Sequence, residues 1–253
     1  MRVDLNSDMG ESFGVYTIGH DAGLMKSITS ANIAAGFHGG DPSVLRATIR
    51  LAKAHRVAVG AHPSYPDLVG FGRRAMAVSP QEAEDFVLYQ IAAVGGVAQA
   101  EGVRMQHVKA HGELFNLAAK NLELAMAIAR AIAAYDQSLI LFAMPQSEVL
   151  KAGRMLGLRT VCEVFADRAY EPDWSLMSRR KSGAVIHDPE AVVARAVRMV
   201  RDRSVVASDG SVVALETDTI CVHGDTPGSD ELAARIRAGL ERDGIEVRAV
   251  GAN

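Results

Sequence analysis

The sequence has few cysteines, few aromatic residues and no long apolar run, and each shortage excludes a class of protein. Its two cysteines, Cys162 and Cys221, lie far apart within apolar runs, which predicts buried free thiols and a reducing compartment. Aromatic residues make up only 5% of the 253 residues, and this favours helices on a buried sheet over an all-β sandwich. No apolar run has membrane-spanning length, and Met1–Asp4 begins no signal peptide. We therefore expect a cytoplasmic protein that does not bind membranes.

Charge and motif absences narrow the function further. The formal net charge is −3, and the one dense basic cluster, residues 179–181, is predicted to be a solvated loop, so nucleic acid is not an expected partner. The chain has no G-x-x-x-x-G-K-S/T, no G-x-G-x-x-G and no G-x-S-x-G motif. These absences argue against a P-loop, a Rossmann nicotinamide site and a serine hydrolase elbow.

Short apolar runs alternate with helical patterns along the whole chain, which predicts one (β/α) barrel domain over residues 1–253. The strand candidates are Val3–Leu5, Ala31–Ala35, Val57–Gly60, Met105–Val108, Leu139–Phe142, Thr160–Val164 and Thr219–Val222. Polar motifs follow nearly every candidate, whereas a doubly wound sheet would collect them at one switch point. Residues 204–215, around Asp209-Gly210, are predicted to form a β-hairpin before the last strand.

Residues able to transfer protons or bind metals follow the strand candidates, where a barrel would gather them at one mouth. In chain order these residues are Asn6, Asp8, Glu11, His38, Asp41, His62, Tyr65, Asp67, Lys109, His111, Glu113, Glu163, Asp167, Arg168, His223, Asp225 and Thr226. We interpret the four strand-end histidines as a joint functional set. His55 and His187 lack such a context and are expected at the surface, whereas His107, inside a strand, is either a core or a functional residue.

Some polar residues also have structural interpretations. Asp41, just before Pro42, is predicted to cap a helix. Lys109 either forms a buried ion pair with Asp8 or Glu11 or polarises a substrate carbonyl. The segment Gly70–Arg74 has the glycines of a mobile loop, and one of its two arginines is expected to bind a carboxylate or phosphate.

Six segments spread over almost the whole chain resemble the LamB/YcsF family, which supplies one component of the bacterial ATP-dependent 5-oxoprolinase. They are residues 4–14, 31–42, 59–74, 108–116, 163–170 and 221–227, for example DLNSDMGESFG and VGAHPSYPDLVGFGRR. The resemblance implies a barrel of the glycoside hydrolase/deacetylase type with about seven strands. It also implies cleavage of 5-oxo-L-proline to L-glutamate coupled to hydrolysis of ATP, with Mg²⁺ as a candidate companion ion, and two partner subunits, B and C. Ser7 and Ala35 stand where the family often has cysteine, so thiolate chemistry at those positions is not expected.

On this resemblance we hypothesise that ATP phosphorylates the lactam oxygen and that water attacks the activated imidate. The hypothesis assigns catalysis to Asp8, Glu11, His62, Lys109 and His111. Substrate contacts are assigned to Asn6, His38, Tyr65, Arg73 and His223. One central residue activates water, and Lys109 or an arginine stabilises the developing negative charge. Whether ATP binds in this chain or in a partner stays open.

Two alternatives remain at this point. In related barrel deacetylases one aspartate and two histidines hold a divalent metal, and Asp8, His62 and His111 would be the matching set for a metal-dependent amidohydrolase or deacetylase. The other alternative is a non-catalytic scaffold subunit with a vestigial pocket.

Overall fold

Seven parallel strands close into a barrel in this computed structural model, which describes residues 1–179, 181–225 and 227–251. The barrel strands are β1 (Arg2–Met9), β2 (Ser30–Ile33), β3 (Ala58–Ala61), β4 (Met105–Lys109), β5 (Ile140–Ala143), β6 (Arg159–Phe165) and β9 (Thr219–Val222). Each strand pairs with the next in that order, and β9 pairs with β1 to close the ring. The barrel expected from the sequence is therefore confirmed.

Three further strands of the described residues lie outside this ring. The hairpin strands β7 (Ser204–Val206) and β8 (Val212–Ala214) pair antiparallel around the predicted turn. The short strand β10 (Glu246–Val247) pairs in parallel with the first residues of β1. The predicted hairpin excursion before the last barrel strand is thus present.

Eight helices occur in the described residues and surround the barrel. They are α1 (Asp21–Leu24), α2 (Pro42–His55), α3 (Pro80–Ala100), α4 (Gly112–Ala118), α5 (Leu122–Tyr135), α6 (Glu148–Met155), α7 (Pro189–Arg201) and α8 (Ser229–Arg242). Capping side chains set several starts: Asp41 accepts hydrogen bonds from Ser43 N and Val44 N, and Ser79 forms a capping box with Glu82. Among the described residues, no helix combines the length and the apolar character that crossing a membrane requires.

The first strand is longer than the sequence predicted. Apolar periodicity stops at Leu5, but β1 continues to Met9 through Asn6, Ser7 and Asp8, all of which are buried. The polar side chains are tolerated because they bond to other strands inside the barrel: Asn6 Nδ2 donates to Thr219 Oγ1 at 2.7 Å. This polar interior extends up to the barrel mouth.

The apolar core lies between the strands and the surrounding helices. Val87, Ile91 and Val94 recur along one face of α3 and are fully buried there. Both cysteines are buried and free, as predicted. Packing between helices and strands holds the barrel rigid, so the loops after the strands are presented from a fixed frame.

Candidate active site at the barrel mouth

A cavity of about 610 Å³ lies at the carboxyl ends of the strands. Its size is within the range of small-molecule sites. The predicted site residues that border it are Asp8, Glu11, His62, Arg73, Lys109, His111 and His223. Side chains from separated parts of the sequence therefore meet at one mouth, as the strand-end pattern predicted.

A buried ion pair forms the floor of the cavity. Lys109 Nζ lies 2.8 Å from Asp8 Oδ1, 2.9 Å from Glu163 Oε1 and 3.0 Å from Cys221 Sγ. Burial alone would raise the pKa of Asp8, but the neighbouring His62 and Lys109 outweigh it and hold that pKa well below its ordinary value. Burial would likewise lower the pKa of Lys109, but Asp8, Cys221 and Glu163 hold it well above its usual range. The floor is thus a fixed ammonium–carboxylate pair, with Lys109 enclosed by acceptors.

Three imidazoles and one carboxyl group form a cluster beside this floor, which we call the imidazole cluster: Glu11, His38, His62 and His111. All four side chains are buried, and one ligand atom from each lies within 4.8 Å of the others. His38 stacks on His111 with ring centroids 3.8 Å apart, and its Nε2 is 3.2 Å from Glu11 Oε1. Burial, followed by the neighbouring imidazoles, lowers the pKa of His38 well below 6.5. Burial, followed by the neighbouring His62, likewise lowers the pKa of His111 well below 6.5.

Backbone carbonyls fix the tautomers of two of these rings. His62 Nδ1 lies 2.8 Å from the carbonyl oxygen of Lys109, and His111 Nε2 lies 2.9 Å from that of Phe71. Since a carbonyl can only accept, each of these nitrogens carries the hydrogen. The remaining nitrogens, His62 Nε2 and His111 Nδ1, are 3.0 Å apart. Two neutral rings would therefore aim two lone pairs at each other, an arrangement that a shared proton or a cation relieves.

Glycines allow the loops to approach this closely. A Cβ on Gly39 would lie 2.6 Å from the carbonyl oxygen of Glu11, and one on Gly72 would lie 2.2 Å from Ser64 Oγ. Gly72 also has a φ of +65°, in the left-handed region that residues with a side chain rarely adopt. Without these glycines the loops carrying His38 and Phe71 could not pack against the cluster.

The imidazole cluster offers a second carboxyl group beside the metal set expected from the sequence. Asp8, expected to join His62 and His111, pairs with Lys109 and lies 3.3 Å from His62 Nε2, and Glu11 is the carboxyl group within the imidazole cluster. Burial, then Asp8 and Asp225, raises the pKa of Glu11 well above its ordinary value. His38 Nδ1 is buried without a hydrogen-bond partner. One carboxyl oxygen of Glu11 and one nitrogen from each of the three imidazoles form a donor set that fits a divalent transition metal.

The opposite wall of the mouth comes from β6 and β9. His223 Nδ1 lies 2.8 Å from Asp167 Oδ2, which orients the ring towards the cavity. Arg168 and Arg179 also border the cavity. The sequence analysis placed Arg168 at a strand end but assigned no role to it. The basic cluster of residues 179–181 was expected to be only a solvated loop, yet its Arg179 borders the cavity. Arg180 and Thr226 lie outside the described residues.

Other predicted residues lie away from the cavity. Asn6 is fully buried and accepts from Asn32 Nδ2, Tyr65 is 2% exposed within the apolar core, and neither borders the cavity. Their assignment as substrate contacts stays a prediction. His38 is buried among His62, Phe71 and His111 and does not border the cavity, so its assignment as a substrate contact also stays a prediction.

Contacts also place the other histidines and the two loop arginines of the sequence analysis. His107 Nε2 donates to Asn32 Oδ1 at 2.9 Å and the ring stacks on Phe142, as in a core histidine, whereas His55 and His187 are exposed. Arg73 reaches the cavity and pairs with Asp225 at 2.6 Å. Arg74 turns away from the cavity to pair with Asp67.

Comparisons with known proteins agree on one family. The model of the LamB/YcsF family matches residues 3–253. A protein of Bordetella pertussis, named as the A subunit of 5-oxoprolinase, is 52% identical over 247 residues, which are 98% of each chain. One of the same name from Pyrococcus abyssi is 53% identical, over 98% of this chain and 97% of its own.

Solved structures agree with this relationship. The lactam utilization protein of Thermus thermophilus is 48% identical and superposes with a TM-score of 0.94, covering 98% of this chain and 100% of its own. A putative cellobiose-phosphate cleavage protein of Enterococcus faecalis is 15% identical with a TM-score of 0.54, over 97% of this chain and 96% of its own, which is a likeness of fold. This chain belongs to the LamB/YcsF family.

Proposed function

We propose that this chain is a subunit of an ATP-dependent 5-oxoprolinase and that its barrel mouth binds the lactam and cleaves it to L-glutamate. Full-length relatives at about half identity are named as the A subunit of 5-oxoprolinase, which supports the role. The observation that carries the local chemistry is the pair of facing nitrogens, His62 Nε2 and His111 Nδ1, 3.0 Å apart beside the cavity.

The facing pair is suited to accept a proton from water. Lowered pKa values keep imidazoles such as His111 neutral at physiological pH, so a lone pair is available as a base. A proton taken up between the two nitrogens is bound by both of them, and Asp8 Oδ1, 3.3 Å from His62 Nε2, stabilises the resulting positive charge. The water left behind gains nucleophilic character.

The lactam carbonyl is a poor electrophile, and ATP coupling supplies the activation. Phosphorylation of the amide oxygen releases ADP and gives an imidate-type carbon that water attacks. The C–N bond of the resulting tetrahedral adduct breaks to give an acyl phosphate of glutamate, and a second water then releases phosphate and glutamate. We assign water activation to the facing pair and protonation of the departing nitrogen to His223, held by Asp167. Lys109 keeps Asp8 ionised, since its neighbours are Asp8, Glu163 and Cys221.

Reconstitution with the two partner subunits tests this proposal. Glutamate formation from 5-oxoproline and ATP is measured with all three subunits and with each one omitted. We expect turnover only when this chain is present, and loss of turnover with Asp8→Asn, while the exposed His55→Asn behaves as wild type. Full turnover without this chain would contradict the proposal, as would an unaltered rate for Asp8→Asn.

A second candidate function rests on the donor set of the imidazole cluster. We propose that Glu11, His38, His62 and His111 would hold a divalent metal, which when bound supplies Lewis-acid polarisation of a carbonyl and lowers the pKa of water. The backbone carbonyls that orient His62 and His111 are the usual outer partners of metal-binding imidazoles.

Metal binding is measurable without activity. The chain is freed of metal by chelation, loaded with Co²⁺ or Zn²⁺, desalted and analysed for metal content, with Co²⁺ absorption as a second readout. One equivalent in wild type and much less in His62→Asn or His111→Asn supports the site. Equal metal content in wild type and both variants rejects it.

A further inference from the structure

A buried guanidinium without a carboxylate partner borders the cavity opposite the imidazole cluster. Arg168 is 6% exposed, and its Nε and Nη2 donate to the carbonyl oxygens of Ala184 and Met177 at 3.3 and 2.7 Å. Asp167, the adjacent carboxylate, directs its Oδ2 to His223. Within residues 1–179, 181–225 and 227–251, no carboxylate oxygen lies within 4.0 Å of Arg168 to form an ion pair. Its buried charge therefore has no direct ion-pair partner in this part of the chain, and Asp167 acts on it only from a longer distance.

The surroundings of Arg168 add positive charge. Arg179 borders the same cavity, and Arg73 lies on its rim in an ion pair with Asp225. Burial, followed by the charge of Arg179, lowers the pKa of Arg168 to about 10. A buried charge without a partner is costly, so an anion entering the cavity would be bound strongly there.

The free donors of Arg168 suit a planar two-oxygen anion. A guanidinium has five N–H donors, and the two bonds to carbonyls leave three, namely both hydrogens on Nη1 and one on Nη2. Adjacent donors on the two terminal nitrogens are the pair that binds a carboxylate through both oxygens. The fixed bonds to Ala184 and Met177 hold this pair in place before any ligand arrives.

We propose that Arg168, assisted by the charge of Arg179, is the anion subsite that binds the carboxylate of 5-oxoproline; this rests on the proposed function. The substrate has a lactam on one side of its ring and a carboxylate on the other. Arg168 follows β6, whereas the imidazole cluster comes from residues after β1, β2, β3 and β4, on the other arc of the barrel. Binding the carboxylate at Arg168 therefore turns the lactam towards the imidazole cluster. Arg168 would also distinguish 5-oxoproline from lactams that lack the carboxylate.

Calorimetric titration of the full chain tests the subsite with three probes: 5-oxoproline, 2-pyrrolidinone, which lacks the carboxylate, and inorganic phosphate. We expect Arg168→Gln to raise the Kd of 5-oxoproline roughly ten- to a hundredfold, because a charged hydrogen-bonded contact is lost. For Arg168→Lys the Kd of 5-oxoproline should lie between those of wild type and Arg168→Gln, since an ammonium keeps the charge but not the paired geometry. Binding of 2-pyrrolidinone should be unchanged in both variants.

Arg195→Gln is the matched control. Arg195 donates to the carbonyl oxygens of Ala166 and Arg168 and so holds the same segment, but it does not border the cavity. Little change in this control, with a large one in Arg168→Gln, supports the subsite. Equal losses in both variants would mean a structural role and overturn it.

Three other results also overturn the subsite: no binding of 5-oxoproline to wild type, unchanged binding to Arg168→Gln, or Arg168-dependent binding of phosphate alone. The last result would assign the guanidinium to a phosphate of ATP. The proposed function fails separately. If 5-oxoproline binds with the expected Arg168 dependence but the reconstituted complex forms no glutamate, the subsite stands and the 5-oxoprolinase proposal falls.

Discussion

His62 Nε2 faces His111 Nδ1 across 3.0 Å, and the other nitrogen of each ring is occupied by a backbone carbonyl. Neither ring can turn its hydrogen towards the other without losing a buried hydrogen bond. The contact is therefore incomplete in the neutral state, and it becomes favourable when a proton or a metal ion enters. A site that is incomplete when empty is suited to bind the species that completes it.

Removing one member of the facing pair should abolish turnover while leaving the fold intact. His111→Asn takes away the nitrogen opposite His62, and we expect glutamate formation by the reconstituted complex to fall about 10²- to 10⁴-fold. Thermal unfolding of the isolated variant shows whether it remains folded. The exposed His55→Asn is the control, and a loss of less than tenfold in His111→Asn would remove the pair from the mechanism.

The pH profile of the reaction should follow from the lowered pKa values. Burial and neighbouring imidazoles hold the pKa values of His38 and His111 well below 6.5, so both rings stay neutral as the pH falls through the ordinary histidine range. A base of this kind loses activity only when the pH falls through its own lowered pKa. We expect kcat/KM to persist below pH 6.5 and to decline at a lower pH. An acid limb centred at or above pH 6.5 would contradict this assignment.

The barrel fold could be predicted from the sequence because strand ends and helix starts are marked by local sequence patterns. It could not reveal that Glu11 as well as Asp8 lies beside the histidines, or that Lys109 pairs with Asp8, because these contacts cross the barrel. It also could not separate Arg73 from Arg74, which are adjacent in sequence but point to different partners. The role proposed for Arg168 could not be predicted from the sequence for a similar reason, since only the fold shows that its guanidinium has no carboxylate ion-pair partner within the described residues. Pairing across strands, not residue type, decides these roles.

Replacing the central lysine should destabilise the fold. Lys109→Met leaves Asp8 and Glu163 buried without their cation, and we expect the free energy of unfolding to fall by about 3–5 kcal/mol. Adding Glu163→Gln removes one uncompensated charge and should restore part of the loss. Urea unfolding of the two variants measures both effects, with the exposed Lys151→Met as control. Equal stability of Lys109→Met and wild type would show that the ion pair contributes nothing.

Gly72→Ala should disturb the site more than the same substitution at another glycine with a positive φ. A Cβ there would lie 2.2 Å from Ser64 Oγ and 2.8 Å from the His111 ring, at φ +65°. Gly183 is the matched control, since its φ is +80° and a Cβ would have nothing within 4 Å. Both alanines incur backbone strain of about 1 kcal/mol, but only Gly72→Ala displaces His111. We expect a large activity loss in Gly72→Ala alone, and similar activity in both variants would refute the contact argument.

Asp4, deep in the barrel, should make stability depend on pH in a direction opposite to that of most carboxylates. Burial raises its pKa from 3.8 to about 6, despite hydrogen bonds from Thr219, Thr29 and Ser30. Between these two values the folded state binds more protons than the unfolded state, so the contribution of Asp4 is present below pH 3.8 and is lost as the pH rises through about 6.

The comparison of wild type with Asp4→Asn isolates this group, because all other titrations are shared. A shift of about two pKa units corresponds to about 3 kcal/mol, so wild type should lose that much more stability than Asp4→Asn between about pH 4 and pH 8. Urea unfolding at several pH values in this interval gives the difference. If the two free energies of unfolding change in parallel with pH, Asp4 does not titrate as its burial implies. A difference that grows in favour of wild type at high pH would show instead that the hydroxyl donors outweigh burial and hold Asp4 ionised.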